Sequence, residues 1–326
     1  MSTNRPQTAE KLFNQKDRLN LTDPVYKQWV FRYTFLELEK DLEEQGDITT
    51  NGLIKDKTNI TARIYANENG VMAGGEEIEY FIFKSDKVFR PDLDSITITN
   101  KLKDGARFEK DDVLMEIKGD AKDILKAERT MLNLLQHMSG IATNAKKIIE
   151  QVKKTKKEIL ITPTRKTTWG WLDKKALVLA ECGTHRLNLA DAVLIKDNHL
   201  ALFDNNVKKT LFTFHPPTNK YRFFEIEIDN KAKVLETART LYEMQKNKAL
   251  PDPAVIMLDN MSPEEITKIV NQLKKENLYD HILIEASGGI CHKNIIEYAK
   301  TGVDIISMGS LTQKINPIDL SLEIKI

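Results

Sequence analysis

Long apolar runs are missing from this 326-residue chain: no window approaches an 18-residue apolar span, and the opening "MSTNRPQTAEKLFNQK" has no apolar signal core. A membrane span and a secretory leader are therefore not expected, and the cytoplasm is the expected location. Cysteine is scarce as well. Cys182 and Cys291 are the only two, too few for a disulfide framework or a cysteine zinc site. Cys182 has no evident activating partner and reads as an inert thiol. Charge of one sign is not in excess, since 49 Lys and Arg face 48 Asp and Glu. No global field points to nucleic acid or an anionic membrane, so any anion binding must come from local clusters. Repeats, low-complexity linkers and a Gly-x-Gly-x-x-Gly turn are absent too, and the last absence weakens a dinucleotide-binding fold.

What is present falls into two textures. The first twenty or so residues are polar and are expected to fray. Trp29, Phe31, Phe35, Leu36 and Leu42 then recur at helical spacing over 24–44, ending near Gly46. Residues 58–119 read as short strands and turns around a helix near 76–84. A long helical stretch follows from Ala121 to about Lys154, with Gly140 the place where it can break. His137 within it reads as an ordinary helix residue.

After residue 158, strand-like runs alternate with helical sequence: "EILITPTRK", "DAVLIKDNH", "FFEIEIDN", "AVIMLDN", "ILIEASGG" and "DIISMGS". That alternation argues for parallel βα units. Each run ends in polar side chains: Arg165 and Lys166, Lys196 and Asn198, Glu227 and Asp229, Asp259, Ser287, and Ser310. A parallel barrel gathers its strand C-termini on one rim, where catalytic groups collect, and it fits better than an open sheet.

Two adjacent cations after a buried strand are costly unless an anion meets them. Arg165 and Lys166 would share the rim with His185, Arg186 and Lys196, opposed by Glu227 and Asp259. In "FFEIEID" the acidic residues 225, 227 and 229 share one face by period-two alternation. Such a face is costly unless it meets a metal, a base or a developing cation. Glycine-rich turns in "EASGGI" and "SMGS" can cradle a phosphate on backbone N–H groups. Singly each feature is weak: an Arg-Lys pair is usually surface, Gly288-Gly289 can be a tight turn only, and Trp169 and Trp171 can be substrate stackers or loop anchors. Together at strand ends they are hard to assign to plain surface.

"TRKTT", "THR", "DAVLIKDNH", "EIEID", "VIMLDN", "EASGGI" and "TGVDIISMGSLT" resemble the quinolinate phosphoribosyltransferase family, as do "GDITT", "ENGVMAG" and "ILKAERTMLNLLQHMSGIAT". The likeness is collinear from about residue 36 onward. It implies an α/β barrel of the type II phosphoribosyltransferase kind over 139–311. With it goes an N-terminal α/β sandwich domain over 1–138, completed by about 312–326. The implied reaction joins quinolinate to phosphoribosyl pyrophosphate (PRPP), giving nicotinate mononucleotide, pyrophosphate and CO2, with Mg²⁺ on the pyrophosphate. By position, Arg165, His185, Arg186 and Lys196 match quinolinate-binding cations, and Lys166 a lysine near the pyrophosphate. Glu227 and Asp259 match carboxylates around ribose and metal, contacting Mg-PRPP directly or through water. Ser287, Gly288, Gly289, Gly309 and Gln313 match the 5′-phosphate site. Arg129 matches an arginine inserted into the neighbouring subunit's site of a homodimer or higher homo-oligomer.

The family's usual "TTPG" is here "TTWGWLD", and Ala180-Glu181 replaces a common glycine pair before the histidine. These departures leave a related transferase acting on nicotinate or another small acid as the nearest rival. A barrel lyase using Lys166 or Lys196 as a Schiff-base nucleophile is the rival from another reaction class. A non-catalytic anion-binding module is the third, and it leaves the acidic strand face unexplained.

Overall fold

The computed structural model describes residues 4–88, 93, 95–216, 220–251 and 253–325, so the expectations for residues 1–3 and 326 lie outside it. The chain divides into two compact units, each built from separated segments.

One unit comprises residues 1–15, 148–166 and 182–311. Six parallel strands form its sheet: Leu160–Thr162, Val193–Ile195, Phe224–Ile228, Ala254–Asp259, Ile282–Ser287 and Ile305–Ser307. In space the order is first, sixth, fifth, fourth, third, second. Among the described residues no pairing joins the first strand to the second, so the curved sheet stays open along that seam. The fourth strand is apolar on both faces, with Ala254 to Leu258 all buried, as a parallel strand covered by crossover helices must be.

The helix Arg5–Phe13 belongs to this unit rather than fraying. It buries only Ala9 and Phe13 along its length, too narrow a stripe to stand out in a polar sequence. Those two pack with Ala192, Phe223, Val255, Leu283 and Ile305, all at the N-terminal ends of strands, so the helix fills the floor of the barrel. Arg5 fixes it there. Its guanidinium donates to both carboxylate oxygens of Asp304 and to the carbonyls of Tyr279 and Ile282, and it stacks 3.6 Å from the Tyr279 ring.

The second unit comprises 16–147, 167–181 and 312–326. Its antiparallel sheet has four strands in the order Leu320–Lys325, Asn59–Ala66, Val113–Asp120, Thr97–Lys101. The residues of 24–44 form two helices, Pro24–Tyr33 and Phe35–Leu42, because Thr34 leaves helical geometry between them. The helix expected near 76–84 spans Gly75–Val88. Ala121–Lys153 is one helix without a break at Gly140. The glycine has another reason: a Cβ there would lie 2.3 Å from the Asn316 carbonyl oxygen, so it admits the C-terminal segment against the helix.

The segment 167–181 joins this unit through a buried acid. Asp173, fully buried, accepts from the Thr168 and Trp169 N–H groups at 2.8 and 3.1 Å and from His137 Nε2 at 2.6 Å. The His137 ring stacks on Trp169 at 4.0 Å, and Tyr33 covers the indole's other neighbourhood at 4.6 Å. His137 is thus a buried, paired group and not an ordinary helix residue. Trp169 and Trp171 are anchors within this unit; Trp171 is 4% exposed, with Arg18 4.9 Å over its ring.

Candidate active site

A cavity of about 380 Å³ opens at the C-terminal ends of the barrel strands, and every one of the six contributes to it. Thr164, Arg165 and Lys166 follow the first strand, and Lys196 follows the second. Glu227 comes from the third, Asp259 from the fourth, Ser287 from the fifth and Ser307 from the sixth. His185 and Arg186 reach it from the loop before the second strand. The fourth and fifth strands are buried until their last residues, so their ends are the first places where a polar side chain can meet solvent.

Charge is distributed in two groups. Lys196 Nζ lies 2.6 Å from Glu227 Oε2. Burial raises the Glu227 carboxyl above its ordinary value, against the lowering effect of Lys196. Burial also raises Asp259, against the pull of Lys196 and Lys166. Arg186 is lowered by burial and by the neighbouring Arg165 cation, yet a guanidinium remains charged. Glu225 and Asp191 act on Arg186 in the opposite sense, so the two guanidinium groups crowd one another beside carboxylates.

Behind the cavity the barrel interior carries a second acidic pair that the sequence pattern only half revealed. Glu225 and Glu285 are fully buried, and none of their carboxylate oxygens has a hydrogen-bond partner among the described residues. Burial, and then Glu285, hold the Glu225 carboxyl well above the usual range. His185 Nε2 sits 3.6 Å from Glu225 and 3.4 Å from Glu285. Its Nδ1 accepts from the Arg186 N–H at 2.8 Å, so the ring proton resides on Nε2 and faces the carboxyls. The three groups lie close enough to hold a metal ion, but that proton occupies the lone pair a metal would need. His185 therefore lines the cavity with its ring edges committed inward.

Several expected residues lie elsewhere. Asp229 borders a separate surface hollow with Asn230 and Lys231. Asn198 is exposed on the short helix Asp197–Ala201. Gly288 and Gly289 have φ of +89° and +63°, and a Cβ on Gly288 would meet Asn260 Oδ1 at 2.4 Å. The Ser287-Gly288-Gly289 turn thus requires glycine at 288 for both conformation and space. Ser310 donates to the Ile290 carbonyl at 3.1 Å, tying the two glycine-rich turns together. Arg129, its side chain 60% exposed, projects from the long helix of the second unit, and Gln313 also falls in that unit. Ser307 was missed: it is 2% exposed, lines the cavity, and its hydroxyl has no partner among the described residues. A lone serine ending an apolar run gives no pattern by which to find it.

Fold and site define an α/β-barrel protein whose strand C-termini line one cavity with cations and carboxylates. The family model for the quinolinate phosphoribosyl transferase C-terminal domain matches residues 141–323, and that for the N-terminal domain matches 47–139. The chain is 36% identical over 281 residues to a probable nicotinate-nucleotide pyrophosphorylase [carboxylating] of Methanothermobacter thermautotrophicus, covering 86% of this chain and 93% of that one. It is 33% identical to the nicotinate-nucleotide pyrophosphorylase [carboxylating] of Mycobacterium leprae, covering 88% and 94%. The solved nicotinate-nucleotide pyrophosphorylase of Francisella tularensis superposes with a TM-score of 0.77 at 28% identity, covering 91% and 96%. The chain belongs to the quinolinate phosphoribosyltransferase family.

Proposed function

We propose that the protein is a carboxylating nicotinate-nucleotide pyrophosphorylase of NAD biosynthesis. It converts quinolinate and PRPP to nicotinate mononucleotide, pyrophosphate and CO2, the ring carbon taking up a proton where the carboxylate leaves. The observation that carries this reading is the single cavity in which Arg165, Arg186, Lys166 and Lys196 face Glu227 and Asp259.

The residue types suit the chemistry. Arg165 and Arg186, with Lys196, receive the two carboxylates of the pyridine. Displacement at the anomeric carbon develops positive charge on the ribose, which Glu227 and Asp259 stabilise electrostatically, while Lys166 attends the departing pyrophosphate. The pyridinium nitrogen so formed is the electron sink for decarboxylation, so no covalent enzyme intermediate is needed. Ser287, Gly288, Gly289 and Gly309 form the 5′-phosphate cradle. Glu227 and Asp259 offer hard carboxylate oxygens, the donor set Mg²⁺ prefers, and they would hold the ion carried by PRPP, directly or through water. Held there, it would supply neutralising charge at the pyrophosphate. Arg129, exposed on its helix, reaches a neighbouring subunit's cavity in a cytoplasmic homodimer or higher homo-oligomer.

The test is product formation from PRPP and Mg²⁺ with quinolinate or nicotinate offered separately. Turnover with quinolinate and release of CO2 is expected. Turnover with nicotinate alone would keep the phosphoribosyl chemistry and overturn the dicarboxylate assignment.

A further inference from the structure

We propose that the N-terminal segment Arg5 to Gln15 is a positioning element for the His185–Arg186 turn, so that a helix on the floor of the barrel governs how the pyridine dicarboxylate is held at its rim. The inference rests on the assignment of Arg186 to quinolinate.

The contacts form a continuous path. The Phe13 carbonyl oxygen, at the last residue of the helix, accepts from the Thr184 N–H at 2.8 Å, the His185 N–H at 3.0 Å and the Thr184 hydroxyl at 3.0 Å. Two residues on, the Gln15 N–H donates to the Thr184 hydroxyl at 3.0 Å, and the Gln15 amide donates to Asp191 Oδ2 at 2.9 Å. The same Asp191 carboxylate accepts from the Leu187 and Asn188 N–H groups, which follow directly on Arg186. The Phe13 ring stacks on Phe223 at 4.2 Å and meets the edge of His185 at 5.1 Å. The turn is therefore gripped before and after the arginine.

The turn also needs gripping. His185 has φ of +52°, a conformation that a side chain bearing a Cβ resists, so surrounding contacts must hold it. Gly183 lets the helix end come near: a Cβ there would lie 3.1 Å from the Phe13 carbonyl oxygen and 3.0 Å from Thr162 Cγ2. At its far end the helix is held by Arg5 on Asp304, and at its C-terminus Arg222 donates to the carbonyls of Lys11, Leu12 and Asn14. The segment is anchored at both ends and presents its last carbonyl to the turn that carries Arg186. A purely structural plug would need the apolar pair Ala9 and Phe13, but not the polar links to Thr184 and Asp191.

The experiment is steady-state kinetics of the full-length chain with Thr184→Val, Thr184→Ser and Gln15→Ala, varying quinolinate and PRPP in turn, with thermal unfolding of each variant alongside. Displacing the guanidinium by a fraction of an ångström should raise KM for quinolinate about tenfold in Thr184→Val and Gln15→Ala, with KM for PRPP changed less than about twofold. Thr184→Ser, which retains the hydroxyl, should recover most of the loss. Unchanged quinolinate KM in folded variants, or equal rises in both KM values, would overturn the positioning role. If Thr184→Val does not fold, Gln15→Ala alone decides the matter on the same criteria. A wild-type enzyme that turns over nicotinate and not quinolinate would instead remove the substrate assignment, and this proposal with it.

Discussion

Lys196 and Glu227, on neighbouring strand ends, form an ion pair at 2.6 Å inside the cavity. The lysine offsets the burial that raises the glutamate's carboxyl. Removing it in Lys196→Met should push the carboxyl further up, so that Glu227 is protonated at a higher pH. The acid limb of the kcat/KM profile for PRPP should then move to higher pH than in the wild type. An unmoved limb would show that Glu227 is not the group that titrates there.

Lys166 shares the cavity with Asp259, whose carboxyl it helps to lower. The Lys166→Ala protein should remain folded, since the residue follows the first strand rather than packing in the core. Loss of a preorganised cation at a charged transition state costs on the order of 3 kcal/mol, or about 100-fold in kcat. Turnover within a few-fold of wild type would contradict a role at the pyrophosphate.

Glu77 gives a pH dependence to stability that has nothing to do with catalysis. It is fully buried, accepts from Tyr26 Oη at 2.6 Å, and is pushed from 4.5 up to about 7 by burial, with the Asp104 charge adding to it. Between those values the folded chain binds a proton the unfolded chain has lost, so stability falls as pH rises through the window. The loss is about 3 kcal/mol at most, complete above about pH 7. Urea unfolding between pH 5 and 8 should show this slope in the wild type, and Glu77→Gln should flatten it.

Asp173→Ala should be severely destabilising. It would strand the buried His137 Nε2–H and leave the part-buried Thr168 and Trp169 N–H groups without their acceptor, at a cost of about 3 kcal/mol. Equilibrium unfolding reads this directly, and a change below about 1 kcal/mol would mean the acid is not the anchor of this segment.

Gly140→Ala places a Cβ 2.3 Å from the Asn316 carbonyl oxygen. Although alanine is the better helix former, the C-terminal segment must retreat, and overpacking of this kind costs about 1–3 kcal/mol. A raised melting temperature in this variant would mean that the segment gives way freely.

The cavity was legible because apolar strands advertise their ends: "LIKDNH" and "VIMLDN" turn from buried to charged at the residue where the barrel opens. Glu285 and Ser307 were not, because each sits singly within an apolar run and gains meaning only from what lies across the barrel. The helix Arg5–Phe13 looked like a polar tail for a similar reason. Two buried residues in nine cannot register as amphipathic, and its polar anchors, Asp304 and Thr184, are far off in sequence. The His137–Asp173 pairing joins residues 36 apart on different segments, so no spacing rule could have found it.

The clasp of Arg5 on Asp304 spans 299 positions of chain. During synthesis the helix Arg5–Phe13 emerges well ahead of its partners on the floor, Asp304 and Ile305, some three hundred residues further along the chain. Closure of that floor is therefore a late, entropically expensive step, and Phe13 stays without its full shelter through most of elongation. The floor of the barrel closes only when strands made far apart in time meet the helix that stoppers it.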